Sequence, residues 1–201
     1  MPNPKSKISA TGRGGPANPV GGQNRKSQGM VEFISGSVEE TQALGERLGR
    51  LLQAGDVVAL YGELGSGKTT FMQGMAQGLG RQPQTIKSPT FVLLREYPPN
   101  PPGTGAGGTI PLVHLDGYRL EGTFAVSWLD VDLLFSPRKI TVIEWAERFT
   151  DVLPSEYLAI RFEHVSTNRR RICPLAHGAG AATRLDGLRT GLTTPEHASG
   201  D

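Results

Sequence analysis

The sequence predicts an α/β fold: a mostly parallel sheet flanked by helices, with an antiparallel hairpin at its C-terminal end. Three observations carry this. Short β-branched runs alternate with segments of helical periodicity, the signature of strands joined by crossover helices. The run Val57–Tyr61 passes directly into a Gly-rich loop and then into a helix. Near the C-terminus two alternating runs flank Ser166–Asn168, the pattern of a hairpin.

The elements follow in order. Val31–Ile34 reads as a short strand. Ser37 with Glu40 forms a capping-box pair, which opens a helix. Leu44, Leu48, Leu51 and Leu52 give that helix one apolar stripe. Val57–Tyr61 is uniformly apolar, as a buried strand is, and a second helix opens at Lys68. Thr90–Tyr97 reads as a strand, and residues 98–109 as a Pro/Gly-rich mobile loop. Leu112–Asp116 and Ile140–Glu144 are two further buried strands. Between them, Trp128, Val131, Leu134 and Phe135 share a helix face. Leu158, Ile160 and Phe162 alternate with polar residues in the first arm of the hairpin, which returns through Arg169–Pro174.

A chain of 201 residues fits one domain with tails. Only 37% of it is hydrophobic, so part of it contributes nothing to a core. Residues 1–29 hold Lys5, Lys7, Arg13, Arg25 and Lys26 and no acid, and they lack periodicity. They are expected to be a disordered basic arm. The same is expected of residues 176–201, which leaves residues 30–175 as the domain. Residues 30–201 hold 16 basic against 19 acidic residues, a net −3. That balance argues against a body with a broad nucleic-acid footprint. Cys173 is the one cysteine, so no disulfide can form within the chain, and no apolar run approaches the ~20 residues that span a membrane. The basic N-terminus has no apolar core of the kind that marks a secretory signal. A cytoplasmic protein is expected.

The chemistry centres on the segment Gly62, Glu63, Leu64, Gly65, Ser66, Gly67, Lys68, Thr69, which fits G-x-x-x-x-G-K-[ST]. Glycines let backbone N–H groups turn inward, and the following helix N-terminus adds positive potential for phosphates. This is the loop of a P-loop NTPase. Lys68 is expected to neutralise the β- and γ-phosphates and Thr69 to ligate Mg²⁺, with Thr70 completing the cradle. Two buried strands each end in an acid, Asp116 and Glu144. In a parallel sheet the ligand crevice lies at the carboxyl ends of the strands. One acid is expected to help hold the metal and the other to orient or deprotonate water. The segment Lys87–Phe91, with Pro89 restricting its backbone, sets Thr90 just ahead of a strand.

Four segments then stand in register: GELGSGKTTF, KSPTF, VHLDGYRL and VIEWAERF. Together they resemble the TsaE (YjeE) family of bacterial P-loop ATPases, which act in threonylcarbamoyladenosine modification of tRNA. The resemblance covers about Val31 to Pro174. It implies ATP and Mg²⁺ as cofactors, Thr69, Asp116 and Glu144 around the metal, and Glu144, Asp116 and Thr90 as the catalytic set. It places Trp145 beside the nucleotide and implies TsaD-type and TsaB-type partners. Two departures stand next to these residues: Gly117, where the family has an apolar residue, and Ala146, where it commonly has Pro.

Other residues read more plainly. His114 is expected to be packed rather than ligating, Cys173 buried, and Arg169–Arg171 a solvated hairpin edge that discourages strand pairing. Tyr118 and Arg119 follow Asp116 at the crevice, where Arg119 could meet an acid or a phosphate. A small-metabolite kinase is the rival reading. Such an enzyme needs a lid, commonly Arg-bearing, and residues 98–109 contain no Arg. A nucleotide-sensing module with negligible turnover is a third reading. The chain has no N-K-x-D guanine motif.

Overall fold

The computed structural model describes residues 31–100, 108–120 and 130–190. Trp128 and the centre of the Pro/Gly-rich loop lie outside them, as does the basic arm. The elements run β1 (Phe33–Ser35), α1 (Val38–Leu51), β2 (Val57–Tyr61), α2 (Lys68–Gly78), β3 (Leu94–Tyr97), β4 (Leu112–Asp116), α3 (Val131–Leu134), β5 (Ile140–Glu144), β6 (Tyr157–His164), β7 (Arg170–His177) and α4 (Ala179–Thr190). The described strands form one sheet in the order β1-β7-β6-β2-β5-β4-β3. The centre, β6-β2-β5-β4, is parallel. Antiparallel strands finish both sides: β3 on β4, β7 on β6, and β1 on β7.

The central strands are apolar throughout because both of their faces are covered. On one face Val58, Leu60, Val142 and Ile160 pack with Leu44 and Leu48 of α1 and Phe71, Met72 and Met75 of α2. On the other, Val57, Ala59, Val113 and Ile143 pack with Leu134, Ala146 and Phe149. Ser37 caps α1 as expected: the Glu40 amide donates to its hydroxyl at 3.0 Å, and the Glu40 carboxylate accepts from the Gly36 amide at 2.6 Å. Helices α1 and α2 cross at close range. A Cβ on Gly45 or Gly49 would strike the carbonyls of Phe71 or Met75, and one on Gly74 or Gly78 those of Gln42 or Glu46. Only glycine lets these backbones approach this closely.

Four expectations need correction. The strand assigned to Val31–Ile34 is Phe33–Ser35, displaced by its pairing with β7. The strand expected over Thr90–Tyr97 begins at Leu94; Thr90–Leu93 is a turn in which the Val92 and Leu93 amides both donate to the Pro89 carbonyl. The segment Arg169–Arg171 is not a free edge. Arg170 and Arg171 pair with Ser35 and Ile34, and Arg171 bridges Glu32, just ahead of β1, and Glu163 of β6, so its charge is compensated. Finally, the chain does not lose its structure at residue 176. β7 continues to His177, and α4 packs Ala181, Leu185 and Leu188 into the core.

Candidate functional site

The register of the sheet builds the site. β2, β5 and β4 are parallel and adjacent, so all three carboxyl ends open on one side. Asp116 lies directly opposite Glu144, and Glu144 opposite Leu60, immediately before the Gly-rich loop. The loop depends on its glycines. Gly65 and Gly67 hold φ of 76° and 106°, and a Cβ on Gly62 would lie 2.6 Å from the Phe162 carbonyl oxygen. Gly67 is the N-cap of α2, so Lys68 and Thr69 open that helix facing the crevice.

Lys68 is only 4% exposed. Its ammonium donates to the carbonyls of Gly62 at 2.6 Å and Glu63 at 2.9 Å, and it stands 4.1 Å from the ring centre of Trp145. Burial pulls its pKa below the ordinary lysine value, opposed by the charges of Glu144, Glu147 and Asp116. The Thr69 hydroxyl lies 2.9 and 3.1 Å from the two carboxylate oxygens of Glu144. The other neighbour of Glu144 is His114, whose Nε2 is 3.0 Å from Oε1. Asp116 has different company. One of its oxygens accepts from the hydroxyls of both Ser88 and Thr90, the latter at 2.6 Å, and the other accepts from the Tyr118 amide at 2.9 Å. The strands therefore pair Glu144 with the Gly-rich loop and Asp116 with the Ser-Pro-Thr segment.

These groups line a cleft of about 350 Å³. Of the residues singled out in the sequence, Leu64, Gly65, Gly67, Lys68, Thr69, Thr70, Thr90, Asp116, Glu144 and Trp145 line it. Gly62 and Glu63 stand behind it and hold Lys68 through their carbonyls. Among the described residues the buried Ser66 hydroxyl has no partner. Trp145 reaches the cleft from a left-handed backbone position, φ 58°, directly after Glu144, and its ring packs 5.2 Å from Tyr118. Such strain in a bulky residue gathers at functional sites.

Some roles were missed or misjudged. Ser88 lines the cleft beside Thr90, a role visible only once both hydroxyls are seen on Asp116. His114 is buried as expected, but it also holds Glu144, a contact between neighbouring strands that residue spacing does not reveal. The guanidinium of Arg119 lies 4.1 Å over the Phe91 ring. Cys173 is half-buried rather than buried. Gly117 has a packing reason: a Cβ there would come 2.7 Å from the Phe149 ring.

Fold and cleft define the class. This is a P-loop NTPase fold, with a Gly-rich loop, its lysine and threonine, and two strand-end carboxylates in one crevice. The chain belongs to the TsaE family: the profile described as "Threonylcarbamoyl adenosine biosynthesis protein TsaE" matches residues 35–172. Relatives named "tRNA threonylcarbamoyladenosine biosynthesis protein TsaE" agree. The one from Streptomyces coelicolor is 42% identical over 121 residues, covering 60% of this chain and 76% of its own. The Bacillus subtilis relative is 36% identical over 140 residues, 70% of this chain and 82% of its own. The Mycobacterium tuberculosis H37Rv relative is 40% identical over 147 residues, 70% of this chain and 83% of its own. The crystal structure of YdiB from Bacillus subtilis superposes with a TM-score of 0.66 at 30% identity, covering 82% of this chain and 97% of YdiB.

Proposed function

We propose that this chain is a Mg²⁺-dependent ATPase that supports threonylcarbamoyladenosine modification of tRNA by acting on a TsaB–TsaD complex in the cytoplasm. The observation that carries the reading is the convergence of Lys68, Thr69, Asp116 and Glu144 in one cleft at the carboxyl ends of β2, β4 and β5. Membership of the TsaE family supports the pathway, and among the described residues no helix is long and apolar enough to cross a membrane.

The donor set fits a hard, largely hydrated cation. The Thr69 hydroxyl and the Glu144 carboxylate are oxygen donors already within 3.1 Å of each other, with Asp116 on the next strand. Among the described residues no three His, Cys, Asp or Glu side chains form a closed metal cage. A site that shares its cation with phosphate oxygens needs none. Bound Mg²⁺ would supply neutralisation of charge on the transferred phosphoryl group. The chain's own residues do the rest. Lys68 exchanges the carbonyls of Gly62 and Glu63 for phosphate oxygens. The N-terminus of α2 adds its dipole. Glu144 orients the attacking water and accepts its proton. Ser88 and Thr90 tether Asp116 to the segment that closes the cleft.

A protein partner is supported by the rim. Leu64 of the cleft lining is 69% exposed, and Phe91 and Val92, which follow Thr90 of that lining, are 83% and 61% exposed, apolar surface that a docking partner would cover. Calorimetric titration with Mg·ATP tests the binding step. Lys68→Ala should weaken affinity by more than about tenfold, the loss of a charge-assisted contact. Unchanged affinity in a folded variant would refute the loop's assignment.

A further inference from the structure

We infer that His114 is a positioning residue, holding the Glu144 carboxylate in the orientation that turnover requires; this rests on the ATPase reading above. His114 lies in the middle of β4, opposite Val142 of β5. Leu112 on its own strand and Ile140 and Val142 on β5 belong to the core against α1 and α2, while Arg95 of β3 stands opposite His114 on the other side. The His114 side chain is wholly buried, with 0% exposure. An imidazole there is costly unless a hydrogen bond offsets its burial. Among the described residues its ring bonds only to Glu144, at 3.0 Å from Nε2 to Oε1, while the buried Nδ1 has no partner there.

This pattern assigns the tautomer. A carboxylate oxygen accepts this bond when Nε2 carries the proton. A proton on Nδ1 would be a buried donor without an acceptor among the described residues. A ring protonated at Nε2 alone leaves only a lone pair unmatched, the smaller cost. Glu144 is thus held from two sides, by His114 on β4 and by Thr69 on α2. When Thr69 turns to its cation, His114 is the remaining side chain that fixes the carboxylate. A water-orienting acid left free to rotate loses the geometry on which its rate depends.

The test compares three variants and one spectroscopic signature. His114→Leu fills the space without a donor. His114→Asn places an amide only as far out as Nδ1. His114→Gln extends an N–H to about the position of Nε2. Mg·ATP affinity should stay within about twofold in all three, because the bond His114 makes is to the water-orienting carboxylate and not to Lys68 or Thr69. Turnover should fall by roughly 10- to 100-fold in the Leu and Asn variants, as losses of orienting partners do, and recover substantially in the Gln variant. In nucleotide-free protein, ¹⁵N NMR of His114 should show protonated Nε2 and bare Nδ1, and Glu144→Gln should shift the Nε2 resonance. Folded Leu and Asn variants with wild-type turnover would overturn the inference. So would a ring protonated at Nδ1, or one indifferent to Glu144→Gln. If the wild-type protein hydrolyses no ATP under any condition, the ATPase reading falls, while the tautomer and its response to Glu144→Gln still decide whether His114 holds the carboxylate.

Discussion

At the scale of single residues, the site is a contest for a few charges. Lys68 is buried among carbonyls and an indole, and burial lowers its pKa in the free protein. Phosphates in the cleft would raise it again. Above the lowered free-state value the free lysine is neutral and the bound one charged, so binding takes up a proton and affinity falls as pH rises. Calorimetry in alkaline buffers of differing ionisation heat should show that uptake, and Lys68→Ala should abolish it. The two acids should separate in their effects. Glu144→Gln should bind Mg·ATP and lose turnover, whereas Asp116→Asn should weaken binding only when Mg²⁺ is present. Normal turnover by Glu144→Gln would move the catalytic role to Asp116. Both acids were legible in the sequence because each ends an apolar strand. Their partners were not. His114 meets Glu144, and Ser88 meets Asp116, only through strand order and register, which nothing in local spacing encodes.

At the scale of elements, periodicity was a good guide where one face of a segment is apolar and a poor one elsewhere. The capping box at Ser37 appears as predicted, and of the leucine stripe Leu44 and Leu48 are buried on α1, Leu51 is partly buried and Leu52 is the extended C-cap. The four-residue spacing of Gly45 with Gly49, and of Gly74 with Gly78, is visible in the sequence, but its meaning emerges only when α1 and α2 are seen in contact. α4 escaped notice because Ala179–Thr190 is rich in small residues and offers only Ala181, Leu185 and Leu188 to the core. The turn at Thr90–Leu93 escaped because its residues have strand propensity, while Pro89 and the left-handed Leu93, φ 65°, bend the chain. α4 carries its own prediction. Leu188 is 1% exposed, so Leu188→Ala should cost about 2–5 kcal/mol in denaturant unfolding. A loss below ~0.5 kcal/mol, the level of an ordinary surface substitution, would mean that α4 is not part of the domain.

At the scale of the whole molecule, the chemistry sits at an incomplete boundary. The parallel centre of the sheet is covered on both faces; it presents Glu144 and Asp116 at its strand ends, and α2, packed on it, presents Lys68 and Thr69. The Ser-Pro-Thr segment instead runs into Phe91 and Val92, both largely exposed to solvent. Ordering such a segment over a phosphate costs roughly 1–2 kcal/mol for each residue fixed. A partner that buries this apolar surface can offset that cost and complete the site, so hydrolysis should depend on assembly. Thr90→Ala should blunt that stimulation more than it weakens ATP binding. The most direct measurement is steady-state phosphate release from Mg·ATP, by the chain alone and then with the TsaB–TsaD pair added. The result expected is slow release alone, a marked rise with the pair, and no rise with Glu144→Gln. A rate left flat by the pair, with a small hydroxylated metabolite phosphorylated instead, would contradict the account and establish a kinase.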